Sequence, residues 1–254
     1  MSDKASRNIV SISGLKQACK HCSLHDLCLP MGVADADLDA LESMLKPRRP
    51  VQRNEHLYRA GDRLTSIYAV RSGSVKTYTL TNDGREQITG FHLPGELIGL
   101  DAINDNTHPC SARALETASV CEMPFDQLET LAMRIPGLQH QLFRIMSREL
   151  KSDEQFMTLL GKKNADERLA SFLVGLSNRF KERGYSPTEF NLSMSRNDIA
   201  NYLGLAVETV SRLFSRLQAD DIMTVDRKLI HITDLSRLNQ LAGTSCERPM
   251  NRTG

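Results

Sequence analysis

The chain has no apolar run near the roughly 18 residues that a membrane-spanning helix requires. Its opening, MSDKASRNIV, lacks the apolar stretch of a secretory leader. Together these lacks exclude a helical membrane protein and predict a cytoplasmic one with no membrane partner. Neither sign of charge is in excess: the formal net charge is +1 over 254 residues, so composition alone announces no polyanionic partner. Internal repeats are missing, and no strand–turn–helix frames a nucleophilic serine, so hydrolytic or transferase chemistry finds no footing and an enzyme is not expected. What remains, 40% hydrophobic and 25% charged residues, is the composition of a soluble globular protein with room for one large or two ordinary domains.

Cysteine is present, and it is unevenly placed. Three of the six cysteines form Cys19-x2-Cys22-x5-Cys28, and the others are Cys110, Cys121 and Cys246. Clustering of this kind points to a reduced compartment and metal chemistry instead of a disulfide framework. Three closely spaced thiolates can converge on one centre, with a fourth ligand drawn from elsewhere; Cys121 and Cys110 are candidates, and Cys246 lies in an expected tail. Zinc and an iron–sulfur cluster both accept four cysteines. The second Cys-x2-Cys knuckle common in zinc sites is missing, while His21 and His25 keep zinc open. Cys121 also has a plain reading as a small buried apolar residue.

Along the chain, residues 1–18 read as a loose arm. From about Pro50 to Met123, short alternating runs split by turn residues predict an antiparallel roll or barrel, with a hairpin turn at Asn82-Asp83-Gly84. Pro136-Gly137 opens a long helix ending near Gly161. On it Phe143, Met146, Leu150, Asp153, Met157 and Leu160 recur at gaps of three and four, the repeat of a coiled-coil seam. A helix buried wholly within its own chain is the plainer alternative. Ile145, Phe156 and Leu159 lie off that seam and can pack on neighbouring domains. Asn164 with Glu167 caps a further helix. The expected organisation is an arm with the cysteines (1–30), a β-roll sensor (31–135), a dimerisation helix (136–161), a winged helix-turn-helix (162–243) and a tail (244–254). The fold class is α+β.

Ser195 with Asp198 starts the first helix of a helix-turn-helix. Ala200 permits close helix approach, Gly204 the tight turn, and Val210 a buried anchor. Val210, Leu213, Phe214 and Leu217 form the core face of the second helix. Glu208, Ser211, Arg212 and Ser215 form the opposite face near its start, where a recognition helix presents base-reading side chains to the major groove. Arg can bond bidentately to guanine and Glu can accept from the cytosine amine. A solvated charged face is the plainer reading. From Gly161 to Ala219, nine Lys/Arg face six Asp/Glu, a local balance of +3 that is compatible with phosphate contacts.

The segments Cys19-KHC-SLHDL-Cys28, EQITGFHLPGELIGL (86–100), ALETASVCEMPF (114–125), KKNADERLASFL (162–173) and YLGLAVETVSR (202–212) resemble the FNR/ANR branch of the CRP/FNR family of bacterial regulators over nearly the whole chain. The resemblance implies a cyclic-nucleotide-binding-like β-roll and a [4Fe–4S] cluster on Cys19, Cys22, Cys28 and Cys121. It implies a dimer in the absence of oxygen, and conversion of the cluster to a [2Fe–2S] form with dissociation in its presence. It further implies reading of TTGAT half-sites in palindromic double-stranded promoter DNA by Glu208, Ser211 and Arg212. RNA polymerase contacts are implied at Thr81, Gly84 and Arg85 and at Arg183 and Ser186. The chain departs from the cAMP-binding branch: no Arg precedes Ser111 to hold a cyclic phosphate, so a cyclic nucleotide is not the expected effector. A zinc- or redox-responsive regulator of the same fold is the alternative. A DNA glycosylase with a structural cluster is disfavoured because Ile12 stands where its further cysteine belongs.

Asp153 breaks the apolar rule of the seam. In a symmetric parallel dimer it is expected to face its own copy, where two carboxylates about 4 Å apart would repel by roughly 1 to 4 kcal/mol; an exposed Asp just outside the interface is the plainer reading. The expectation is that an intact cluster lets pairing win and its loss lets repulsion separate the subunits. Access of oxidant is expected from a mobile cysteine loop, with Leu24 and Leu27 as partial lids and Lys20 and His21 tuning stability.

Overall fold

The structure, a computed structural model, describes residues 19–46 and 48–243. The arm expected over 1–18, and the tail expected from Thr244 with Cys246 in it, lie outside the described residues. A 3-10 turn, His25–Leu27, and helix α1, Asp35–Met44, precede the roll. The roll consists of β1 (His56–Tyr58), β2 (Ser66–Ser72), β3 (Val75–Leu80), β4 (Glu86–His92), β5 (Leu97–Ile98), β6 (Ser111–Ala114) and β7 (Ser119–Pro124). These form two antiparallel sheets in the orders β1-β6-β3-β4 and β5-β2-β7.

Strand β2 shows how one sequence feeds two cores. Its first five residues are all buried because successive side chains of a strand point to opposite faces. Tyr68 and Val70 fill the roll interior with Val75, Ala112 and Val120. Ile67 and Ala69 point the other way, into a second core shared with Leu38, Leu41, Leu128 and Ile145. The expected turn at Asn82-Asp83-Gly84 closes the β3–β4 hairpin, with Thr81 N–H donating to the Arg85 carbonyl at 2.9 Å.

Helix α2 (Phe125–Arg134) leads into α3 (Pro136–Lys162), which has its proline at the first turn, where a missing N–H costs nothing. Leu138, Gln141 and Ile145 bury one side of α3 against the second core. Further along, Phe156 stacks on Tyr202 with ring centroids 4.3 Å apart, and Leu159 packs on the C-terminal core, so both off-seam residues serve neighbouring elements. Helix α4 (Ala165–Glu182) begins with a reciprocal capping box between Asn164 and Glu167. There follow β8 (Glu189–Asn191), α5 (Arg196–Leu203), α6 (Val207–Ala219), β9 (Met223–Asp226), β10 (Leu229–Ile232) and α7 (Leu235–Leu241). Strands β8, β10 and β9 form the wing in that order. The antiparallel β9–β10 pair supplies the wing expected of a winged helix-turn-helix. Helices α1, α2 and α7 and strand β8 are additions to the sequence reading.

Candidate cysteine centre and nucleic-acid interface

Cys19, Cys22, Cys28 and Cys121 line one apolar pocket of about 40 Å³, with Leu24, His25, Leu29, Leu41, Leu45, Ala69, Val70, Arg71 and Met123. Cys121 comes from β7, paired with Ala69 of β2, and so forms the pocket's rigid wall. The other three come from a loop that turns on itself. Cys22 N–H donates to the Cys19 carbonyl (3.2 Å), His25 N–H to Cys22 (3.0 Å) and Cys28 N–H to Leu24 (3.1 Å). Lys20 N–H is held by Glu42 Oε1 of α1 at 3.0 Å. Leu24 and Leu29 are buried beneath it. The cysteine loop is packed, with its turns bonded through its own backbone and two leucines buried beneath it. Leu27 is corrected as a lid: it faces Gly95, whose ideal Cβ would stand 2.9 Å from Leu27 Cβ, and it does not line the pocket. Cys110 stays apart, buried in the roll with its thiol 3.2 Å from Asp101 Oδ2.

Burial pushes the Cys19 thiol up to about 12, reinforced by the charges of Cys121, Glu42 and Cys22 and opposed by Arg71. Burial likewise pushes Cys28 up to about 12. Cys121 is raised by burial, and Arg71 opposes the rise. Such thiols keep their protons until a metal displaces them. Arg71, at the end of β2, was not singled out from the sequence; only the fold brings it beside the thiols. Among the described residues no three His, Cys, Asp or Glu side chains converge as a single-ion site. Four cysteine sulfurs nevertheless line this one apolar chamber, a donor set that zinc and iron–sulfur clusters both accept.

The pocket's loop rests on α3. Gln141, buried on that helix, donates from Nε2 to the Cys28 carbonyl at 3.0 Å. One turn earlier, Gly137 lies so close to the Gly32 carbonyl that any Cβ there would press into it. Neither residue carries a sequence signal beyond Gly137 standing at a helix start. On the far side of α3, Phe143 (61%), Leu150 (67%) and Met157 (65%) are exposed, and Met146 is at 38%. Asp153 lies exposed on the same stripe, and Leu160 is half-covered beside Gly204. The stripe is thus left uncovered within one chain, against the plainer expectation of a helix wholly buried in its own subunit. A contiguous apolar face of this kind marks an interaction surface.

In the helix-turn-helix, Ser195 and Asp198 form the expected capping box, and Gly204 adopts the left-handed conformation (φ 64°) that closes α5. Val210, Leu213, Phe214 and Leu217 are buried. Glu208, Ser211, Arg212 and Ser215 are exposed together on α6. The Arg196 guanidinium lies 3.1 Å above the Phe214 ring, desolvated enough to lower its pKa to about 10.

The expected polymerase-facing residues divide. Thr81, Gly84 and Arg85 occupy the exposed β3–β4 hairpin, where Asp83 accepts from Thr81 Oγ1 and from Arg85 Nε (2.7 Å). Ser186 is exposed, and its hydroxyl accepts from the Glu189 amide at 3.0 Å. Arg183 is a correction: its side chain is 3% exposed and its guanidinium is consumed inside the protein by Glu96. A carboxylate distant in sequence captured a charge that local reading placed at the surface.

The sequence pattern of the cyclic nucleotide-binding domain matches residues 48–134, and that of the Crp-like helix-turn-helix domain matches residues 167–241. The chain is 55% identical to the transcriptional activator protein Anr of Pseudomonas protegens, covering 90% of this chain and 94% of that protein. It is 50% identical to the fumarate and nitrate reduction regulatory protein of Escherichia coli, covering 89% and 90%. Among solved structures it is similar to FixK2 from Bradyrhizobium japonicum (TM-score 0.70, 34% identity, 76% of this chain and 95% of that one).

Proposed function

Because the chain belongs to the Anr and FNR branch of the CRP/FNR transcriptional regulators, which bind DNA and are not enzymes, we propose that it regulates genes of anaerobic metabolism through a [4Fe–4S] cluster on Cys19, Cys22, Cys28 and Cys121. When bound, that group supplies a core that oxygen can attack. The observation that carries the reading is the single pocket lined by four cysteines, whose loop is docked on the same helix that bears the uncovered apolar stripe.

The chain's own residues do the rest. The four thiols surrender protons as ligands, and Arg71 offsets the negative charge that gathers beside Cys19 and Cys121. Gln141 and Gly137 fix the loop to the first turns of α3, so the loop's conformation reaches the helix through one hydrogen bond and one tight backbone contact. Phe143, Met146, Leu150, Met157 and Leu160 pair with a second copy across a two-fold axis. Asp153, opposite its own copy, keeps that pairing marginal. Two α6 helices then read the halves of a TTGAT-type palindrome through Glu208, Ser211 and Arg212. The exposed hairpin carrying Thr81, Gly84 and Arg85, with Ser186, faces RNA polymerase, and the protein works in the cytoplasm.

No cyclic nucleotide is required. Ser111, at the position that would meet a cyclic phosphate, accepts the Ala60 amide at 2.9 Å, and Tyr58 stacks on His108 with centroids 3.6 Å apart inside the roll. The test is binding to a TTGAT-N4-ATCAA duplex at fixed salt, with anoxic and air-exposed protein compared. Air should abolish specific binding and leave weak non-specific binding. Equal specific binding by both samples would overturn the reading.

A further inference from the structure

The turn Pro94–Glu96 joins the cysteine pocket to the DNA-binding unit by contacts that do not pass through the dimer seam. Val70 and Arg71, at the end of β2, line the cysteine pocket. Val70 also holds the turn from both sides: its carbonyl accepts from Gly95 N–H (2.8 Å), and its own N–H donates to the Glu96 carbonyl (3.0 Å). From the cysteine loop, Leu27 presses on Gly95, which has a φ of +93° and no room for a side chain. The turn is thereby clamped between a pocket wall and the loop that carries three of the cysteines.

The next residue points the other way. The Glu96 carboxylate accepts from Arg179 Nε (3.0 Å) and Nη2 (2.6 Å), from Arg183 Nη2 (2.5 Å), and from the Leu93 amide (3.0 Å). Arg179 lies in the last turn of α4, and Arg183 is the residue that caps its C-terminal end. They also donate back to the turn and its approach, Arg179 to the Phe91 carbonyl (2.5 Å) and Arg183 to the Pro94 carbonyl (2.7 Å). Arg179 grips the carboxylate with a two-pronged guanidinium fork and Arg183 adds one further bond, which fixes orientation as well as distance. Burial raises the Glu96 pKa, but the two arginines outweigh it and hold the carboxyl down to about 2, so the clamp is charged at any physiological pH.

We propose that Glu96 is a positioning residue through which the cysteine loop sets the attitude of the DNA-binding unit within each subunit. The proposal rests on the cluster reading above and adds a second output to it. Dimerisation brings two recognition helices together, and the Glu96 clamp sets the spacing and angle at which they meet the two half-sites. A device of this kind acts on the geometry of DNA engagement and leaves pairing of the subunits alone.

The experiment uses anoxically purified full-length protein with its iron, sulfide and sedimentation behaviour measured, and duplexes in which the half-sites are separated by four or six base pairs. Glu96→Gln keeps the side chain's shape and removes its charge. It should retain iron and dimerise as the parent does, yet bind the four-base-pair duplex at least tenfold more weakly. Its preference for four over six base pairs should fall by a similar factor, with non-specific affinity unchanged. Leu27→Ala should shift the same preference in the same direction, and adding it to Glu96→Gln should bring little further loss, since both act on one turn. Loss of stability alone would lower the active fraction without altering spacer preference.

A cluster-loaded, dimeric Glu96→Gln protein with parental affinity and spacer preference overturns the proposal. If that variant does not fold, Arg179→Lys, which keeps the charge and loses the fork, is judged by the same two criteria. If the parent protein itself carries no iron, or binds equally in air, the cluster reading fails and takes this proposal with it. A normal parent with indifferent variants sinks the clamp alone.

Discussion

Replacing Gly137 by alanine sets two effects of opposite sign against each other. Alanine in a helix is favoured over glycine by about 1 kcal/mol, less at a first turn, so propensity alone would strengthen α3. At this position, however, the new methyl would press into the Gly32 carbonyl oxygen, with the Gly32 carbon at 3.3 Å also crowding it. The overlap with ordinary van der Waals spacing is on the order of 1 Å. The obstacle is backbone, not a swinging side chain, so relief requires the loop and helix to move apart. Overpacking of this kind costs about 1–3 kcal/mol. The Cys28 carbonyl then withdraws from Gln141, and the loop no longer reports to α3. Expressed in dimer formation, that cost falls on both subunits, about 2–6 kcal/mol in all, and weakens association of anoxic protein by about 30-fold or more, measurable by sedimentation over a concentration series. Thermal stability of the monomer should change far less, because the helix gain offsets part of the loss. A Gly137→Ala protein that dimerises as well as the parent, or better, would refute the claim that this contact carries the coupling.

Asp153→Ala removes the repulsion of two facing carboxylates, worth roughly 1 to 4 kcal/mol, and should permit dimers and operator binding in air; a variant that stays monomeric where anoxic parent dimerises rules out that role. Partial desolvation of its carboxyl, and then the charge of Asp101, raises the Asp153 pKa already in one chain, and a second carboxylate would raise it further. Pairing therefore takes up protons, so air-exposed protein should dimerise more strongly as pH falls toward the raised pKa, a trend that Asp153→Ala should lose. Cys121→Ser should purify without stoichiometric iron while Cys110→Ser retains it, read by iron and sulfide analysis. Arg212→Ala should cost about 1–3 kcal/mol on the specific duplex and relax selectivity at the base pair it reads, with anoxic dimerisation unchanged.

Local signals in the chain disclosed much of this molecule. Turn residues and alternation gave the roll. The small residue, glycine and β-branched residue at Ala200, Gly204 and Val210 gave the helix-turn-helix, and gaps of three and four gave the stripe on α3. These are periodic or capping effects that a few neighbouring residues determine. What escaped is set by distance. Arg183 looks like a surface charge until Glu96, far away in sequence, captures it. Leu27 reads as a lid beside two cysteines until Gly95 takes its side chain. Gln141 resembles any polar residue on a helix, yet it is buried with its Oε1 unpaired and its amide on Cys28. Helices α1 and α2 were obscured because their short apolar runs carry too few turns to stand out from strands and loops.

The most direct test follows one anoxic sample through a single exposure to air. Iron, acid-labile sulfide and sedimentation coefficient are recorded before and after. The account predicts four irons and four sulfides per chain with a substantial dimer fraction beforehand, and loss of cluster integrity together with a shift to monomer afterwards. Iron-free protein that forms dimers to the same extent in both conditions would contradict it.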